Sequence, residues 1–311
     1  MSVKGGIITD VHVDAAPISG EPESIMWQGD QRWFTNAVQR TTVFGAEMEA
    51  QGVDLCVDLG DIVNSTAGGN ADAADDLADI VAALTDNYTG DTHLVMGNHE
   101  VHLWKEDWTD YIAQVSQTPP GLVTAWTTGK PAGWPITTSY SWDKGGIHFV
   151  SFYYGVPLTT DEKAAVLVWL ATDLAATDLP IVVFSHYYLD QIAIGSGFDV
   201  VQDVLDDYNV QAVITSHMHQ VPRLADFITY PIGVDTPFYH LRANCIGPID
   251  SSTPDVTLGK DAACYIFDIL PNAVVGTSHP RAKIDVTCYY TPVELDNQVD
   301  EMDRETRYAV I

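Results

Sequence analysis

Residues 5–12 read Gly5-Gly6-Ile7-Ile8-Thr9-Asp10-Val11-His12. The apolar start predicts a strand over Gly5–Asp10. An acid and a histidine close it, two positions apart. Side chains two apart in extended backbone point the same way, so Asp10 and His12 are expected to face one place. The same arrangement returns four more times along the chain. Val53–Leu59 is an apolar run ending in Gly60-Asp61, and His93–Met96 ends in Gly97-Asn98-His99. The strand Ile181–Ser185 ends in His186, and Val210–Thr215 runs into Ser216-His217-Met218-His219.

Helical stretches separate these strands. Gln31–Gln51 reads as a helix stopped by Gly52. Asp72–Leu84 sets apolar residues at helical spacing, and Thr160–Ala175 is a helix with Thr160 as its cap. Strands alternating with helices predict an α/β fold. Thr138–Trp142 and Ile147–Tyr154 flank Asp143-Lys144-Gly145-Gly146, the turn of a hairpin. Phe238–Cys245 and Ala263–Ile269 read as further strands. Trp104–Thr138 is different, with four tryptophans among its prolines and glycines. It is expected to be a long loop excursion over the site. Residues 294–311 read as a polar C-terminal tail.

In open α/β sheets, sites form beyond the carboxyl ends of strands. Five strand ends here deliver oxygen or nitrogen ligands without a cysteine. That mixture of carboxylate, amide and imidazole suits Mn2+, Fe2+/Fe3+ or Zn2+. The four cysteines show no CxxC spacing, which argues against a disulfide framework or a zinc ribbon. Among the other histidines, His93, His148 and His279 read as structural.

Composition narrows the partners. Lys+Arg is 14 against Asp+Glu 43, a net charge of −29. Such a surface repels a phosphate backbone, so no nucleic-acid polymer is expected as a partner. The acids are mostly aspartate and spread along the chain, as on a surface adapted to high salt. No run of about 18 apolar residues predicts a membrane span. No secretion signal is visible, so the expected location is cytoplasmic.

The ordered blocks Asp10-Val11-His12, Gly60-Asp61-Ile62-Val63-Asn64, Gly97-Asn98-His99-Glu100, Ser185-His186 and His217-Met218-His219 resemble the calcineurin-like metallophosphoesterases. The resemblance implies a four-layer αββα sandwich and a single catalytic domain over residues 1–293. It implies two divalent metal ions, with Asp10, His12 and His219 on the first and Asn98, His186 and His217 on the second. Asp61 would bridge both. His99 would not ligate but would point at the phosphate and aid the leaving group, while a metal-bridging hydroxide attacks in line. Asn64, Glu100 and His102 are expected around the ligands or facing the substrate. Two positions depart from the family pattern: Ser216 stands where the family has Gly, and Asn64 where some branches have Asp.

The implied function is hydrolysis of a small phosphoester, most simply a phosphodiester or nucleotide-type substrate. The alternatives are a broad-specificity phosphomonoesterase and a non-catalytic metal-binding scaffold. A scaffold would be expected to lack ligands or His99, and none is missing here.

Overall fold

The Gly-Gly-Ile-Ile run forms β1 (Val3–Ile8), which lies inside a six-stranded sheet. The computed structural model describes residues 2–13, 37–63, 73–104, 139–155, 158–187, 198–217, 227–230, 238–243, 260–274, 281–292 and 303–308. After β1 come α1 (Ala37–Ala50), β2 (Leu55–Asp58), α2 (Ala73–Thr85), β3 (Asp91–Leu94) and α3 (Asn98–Trp104). The hairpin β4 (Tyr140–Lys144) and β5 (Ile147–Ser151) leads to α4 (Thr160–Leu174), β6 (Ile181–Phe184), α5 (Phe198–Asp206) and β7 (Val210–Thr215). The chain then adds β8 (Phe227–Tyr230), β9 (Phe238–Arg242), β10 (Lys260–Val274), β11 (Arg281–Pro292) and β12 (Asp303–Tyr308).

These strands make two sheets, ordered β12-β11-β10-β1-β2-β3 and β4-β5-β6-β7-β9-β8. Strands β1, β2 and β3 run parallel, as do β5, β6, β7 and β9. The sites at their carboxyl ends therefore share one edge of each sheet.

Strand alternation assigns the layers. Leu55 and Val57 of β2 pack with Val182 and Phe184 of β6 in a core between the sheets. The intervening Cys56 turns to the other side and joins a cluster with Phe44 and Met48 of α1 and Leu77 of α2. Val183 of β6 likewise turns outward, to the cluster that holds Leu170 of α4 and Val201 of α5. Helices thus cover the outer faces of two stacked sheets, the αββα sandwich. Burial on both faces explains why β2, β6 and β7 read as unbroken apolar runs rather than as alternation.

The structure corrects several expectations. The cap of α4 is Thr159, not Thr160: Thr159 Oγ1 accepts from Glu162 N at 3.3 Å while Glu162 Oε2 accepts from Thr159 N at 2.6 Å. That capping box requires its Glu three residues after the cap, which fixes the register. Asn98 and His99 do not merely end a strand but open α3. Within the polar stretch 294–311, Asp303–Tyr308 is a strand, paired antiparallel to β11. It stands at the sheet edge, where main-chain pairing suffices and charged side chains are favoured. Strands β8 and β11 and helix α5 were not foreseen. The Trp-rich stretch beyond Trp104, through Thr138, lies outside the described residues, as does the first part of the helix expected over 31–51.

His148 is structural, as expected: Nδ1 lies 2.6 Å from Asp143 Oδ1 and Nε2 3.0 Å from Asp173 Oδ2, tying the hairpin to α4. Those two carboxylates outweigh the effect of burial and raise its pKa. Among the described residues no helix is long and apolar enough to cross a membrane.

Candidate metal centre

The loops that leave β1 and β2 run side by side. Asp10 N donates to Gly60 O at 2.9 Å, His12 N to Asp61 O at 2.9 Å and Val13 N to Ile62 O at 2.8 Å. Along them Asp10 and His12 are left-handed (φ 49° and 48°), as is Asp61 (φ 56°). The premise of extended backbone through Asp10 and His12 was therefore wrong, although both side chains do reach the centre. His217, beyond β7, is left-handed too (φ 87°). Among the described residues these four are the only non-glycine positions in that region, each costing about 1–3 kcal/mol.

Two glycines make the close approach possible. Gly60 has φ 97°, and a Cβ there would fall on the Gly97 backbone. A Cβ at Gly97 would fall on Asp61. The Gly-Asp and Gly-Asn-His blocks thus pack backbone against backbone, which no larger residue permits.

Glu100 then holds the loop. Its Oε2 accepts from Asp61 N at 2.8 Å and Gly97 N at 3.0 Å, and its Oε1 accepts from Ile62 N at 2.7 Å. Glu100 is fully buried. Burial, then the Asp61 charge, push its pKa up to about 7, while the N–H donors favour the carboxylate. Asp58, also buried, accepts from Gly60 N at 2.9 Å, and burial raises its pKa well above the usual carboxylate range.

Asp61 stands at the middle. Its Oδ1 accepts from His99 N at 2.9 Å, which turns Oδ2 toward the histidines. His186 Nε2 lies 3.1 Å from Oδ2, and the Nε2 atoms of His12 and His99 each lie 3.8 Å from it. Burial alone would raise the Asp61 pKa, but the surrounding histidines, His186 first, hold it well below the usual range. His186 is pushed up to about 9: burial opposes this, and the Asp61 carboxylate overcomes it.

Two ligand groups meet at Asp61, one with His12 and His99, the other with His186 and His217. His186 Nε2 also lies 3.1 Å from Asn98 Oδ1 and 3.0 Å from His217 Nδ1. Its other nitrogen, Nδ1, lies 2.9 Å from Leu59 O, and donation there would leave Nε2 to offer a lone pair once a cation takes the place of its proton. Ser216, standing where the family has Gly, is accommodated: its Oγ lies 3.2 Å from His186 Nδ1, on the same side as Leu59. Asp10 accepts from Thr9 Oγ1 at 2.7 Å and His217 N at 3.2 Å, with its Oδ1 3.9 Å from His12 Nε2. Convergent imidazole, amide and carboxylate donors around a shared carboxylate suit a pair of divalent cations.

The chain belongs to the calcineurin-like phosphoesterase family. The family model matches residues 5–221, which span every block of the site. This family implies two divalent metal ions. In overall structure the phosphoesterase is similar to a dimetal phosphatase from Danio rerio, at 17% identity and a TM-score of 0.61, covering 99% of each chain. It also matches a purple acid phosphatase from yellow lupin (Lupinus luteus) seeds, at 14% identity and a TM-score of 0.47, covering 99% of this chain and 54% of that one. Among curated proteins, none matches the chain.

The structure therefore gathers Asp10, His12, Asp61, Asn98, His99, His186 and His217 at one centre. It places His99 Nε2 3.8 Å from Asp61 Oδ2, in the group with His12. Glu100 lies beneath the loop rather than facing the centre. His219, Asn64 and the side chain of His102 lie outside what is described. The motif reading missed Tyr187, whose ring meets that of His217 edge-on at 4.4 Å. Its only signal in the sequence was adjacency to His186.

Proposed function

We propose that this phosphoesterase hydrolyses a small phosphodiester or nucleotide-type ester in preference to a monoester. The observation that carries the reading is Asp61 Oδ2, with three imidazole Nε2 atoms within 3.8 Å and a ligand group on either side. Asp10, His12 and His219 would hold one divalent cation and Asn98, His186 and His217 the other, with Asp61 shared between them. When bound, such a pair polarises a phosphoryl oxygen and lowers the pKa of a water. Mn2+, Fe2+/Fe3+ and Zn2+ all fit the donor set.

His99 is assigned to the leaving group rather than to ligation. Its side chain keeps 21% of its surface exposed, against 5% for His12 and 0% for His186, so it is open to an incoming ester where those two are not. Its Nε2 lies 3.8 Å from Asp61 Oδ2, so a proton carried on that ring would stand at the centre, available to the departing oxygen. Such a role contributes about 10²–10⁴-fold. The preference for a nucleotide-type diester is supported by the Trp-rich stretch that directly follows α3, since aromatic side chains can stack a base. The catalytic domain is taken to span 1–293, with β12 added at its sheet edge.

The test is hydrolysis of bis(p-nitrophenyl) phosphate beside p-nitrophenyl phosphate, by protein stripped with chelator and reloaded with Mn2+. Activity is expected to return with the metal and to favour the diester. A monoester preference removes the diester reading, and metal binding without cleavage of either removes the substrate class. His99→Ala is expected to keep both metals and lose about 100-fold or more in kcat; near-normal turnover would remove its assigned role.

A further inference from the structure

Tyr187 follows His186 directly and packs beside both histidines of one ligand group. Its ring stands edge-on to His217 at 4.4 Å and 61°, and to His186 at 5.5 Å and 74°. On another side it packs against the buried ring of Tyr153, with ring centroids 5.7 Å apart. Gly155 completes the seat, because a Cβ there would fall on the Tyr187 ring and within 2.7 Å of the Tyr153 hydroxyl.

The orientation of a ligating imidazole has to be fixed by something outside the ligand group. For His186 that is Leu59 O. His217 sits on left-handed backbone past the end of β7, and its N–H is held by Asp10. Its ring must still turn so that Nδ1 faces His186 Nε2 at 3.0 Å. Among the described residues, the Tyr187 ring is the nearest aromatic surface that could limit this rotation, closer than the His186 ring at 4.9 Å.

We propose that Tyr187 is a positioning residue for the metal centre. Seated over Gly155 and held by Tyr153, its ring locks the His217 imidazole so that Nδ1 shares a cation with His186 and Asn98. This rests on the two-cation reading above.

The test is titration of chelator-stripped protein with Mn2+, following free Mn2+ by electron paramagnetic resonance, with circular dichroism as the check on folding. Wild type is expected to bind two ions. Tyr187→Ala is expected to weaken one of them by about 10–100-fold, the range for a group that orients a ligand. Tyr187→Phe, which keeps the ring, should bind both as wild type does. Gly155→Ala displaces the ring without deleting it and should weaken the same ion; it decides the matter if Tyr187→Ala does not fold. Wild type that binds fewer than two ions overturns the two-cation reading itself. Wild type that binds two, with Tyr187→Ala or a folded Gly155→Ala unchanged, overturns only the role of Tyr187. Weakening in Tyr187→Phe equal to that in Tyr187→Ala also overturns it, because the hydroxyl and not the ring would then be responsible.

Discussion

His93 shows what one buried ring can do to acid stability. It lies flat on Trp142, with ring centroids 3.8 Å apart at 6°, inside the sandwich. It is 3% exposed, and among the described residues neither ring nitrogen has a hydrogen-bond partner. Burial, helped by Lys144 and opposed by Asp91, brings its pKa down to about 3. A folded pKa below the unfolded value means that only the unfolded chain takes up the proton between about pH 6.5 and 3. Stability from this group is complete above that window and falls by about 1.4 kcal/mol per pH unit within it. His93→Phe keeps the stacking and removes the titration. Its Tm should therefore fall less than that of wild type between pH 6.5 and 4. Parallel Tm curves for the two proteins would refute this. At this scale the sequence was informative about chemistry and silent about conformation. Asp10, His12, Asp61 and His217 were recognisable as ligand types, but nothing in a side chain announces left-handed backbone. Tyr187 was invisible because its part depends on Gly155 and Tyr153, distant in sequence.

Two of the loops that carry the site are fastened by one side chain. Glu100, in the first turn of α3, fastens the loop after β2 through the N–H groups of Asp61 and Ile62, and that after β3 through Gly97. Glu100→Gln replaces one acceptor by a donor that faces other donors. It should cost about 1–3 kcal/mol, read as a lower urea midpoint for metal-free protein at pH 8. An unchanged midpoint would mean that the glycine-mediated packing of the two loops suffices without the clamp. Strands β2, β6 and β7 were legible because burial on both faces leaves uninterrupted apolar runs. The register of α4 was off by one because two threonines adjoin, and only Glu162 decides between them. Strand β12 was illegible for a physical reason: an edge strand held by main-chain pairing needs no hydrophobic pattern. The alternation in β11, with Ile284 and Val286 buried on one face, was there to be read.

Across the whole molecule the dominant quantity is charge. A net −29 on 311 residues means that folding brings like charges together. The effect is visible locally: at the end of α5 the Asp206 pKa is raised by partial burial and then by Asp203 and Asp207. On the β10–β11 pair, Asp268 is raised by burial, with Asp285 and Asp54 adding to the rise and Lys4 opposing it. Such repulsion between exposed groups is long-ranged in dilute buffer and strongly screened at molar salt, where the Debye length falls to about 3 Å. Tm should therefore climb steadily from dilute to molar KCl. A local test separates screening from a general effect of salt on hydrophobic burial. Asp203→Asn with Asp207→Asn should raise Tm in dilute buffer and change it little in molar KCl. A gain of equal size in both would place its origin in helix propensity rather than repulsion. A Tm indifferent to salt would remove the idea that this acidic surface is tuned to it. The same field bears on the substrate, since an anionic surface around a cation-binding centre repels an extended polyanion far more than a small ester. Duplex DNA should therefore fail to compete with bis(p-nitrophenyl) phosphate at physiological salt, and measurable inhibition would return nucleic acid to the candidate substrates.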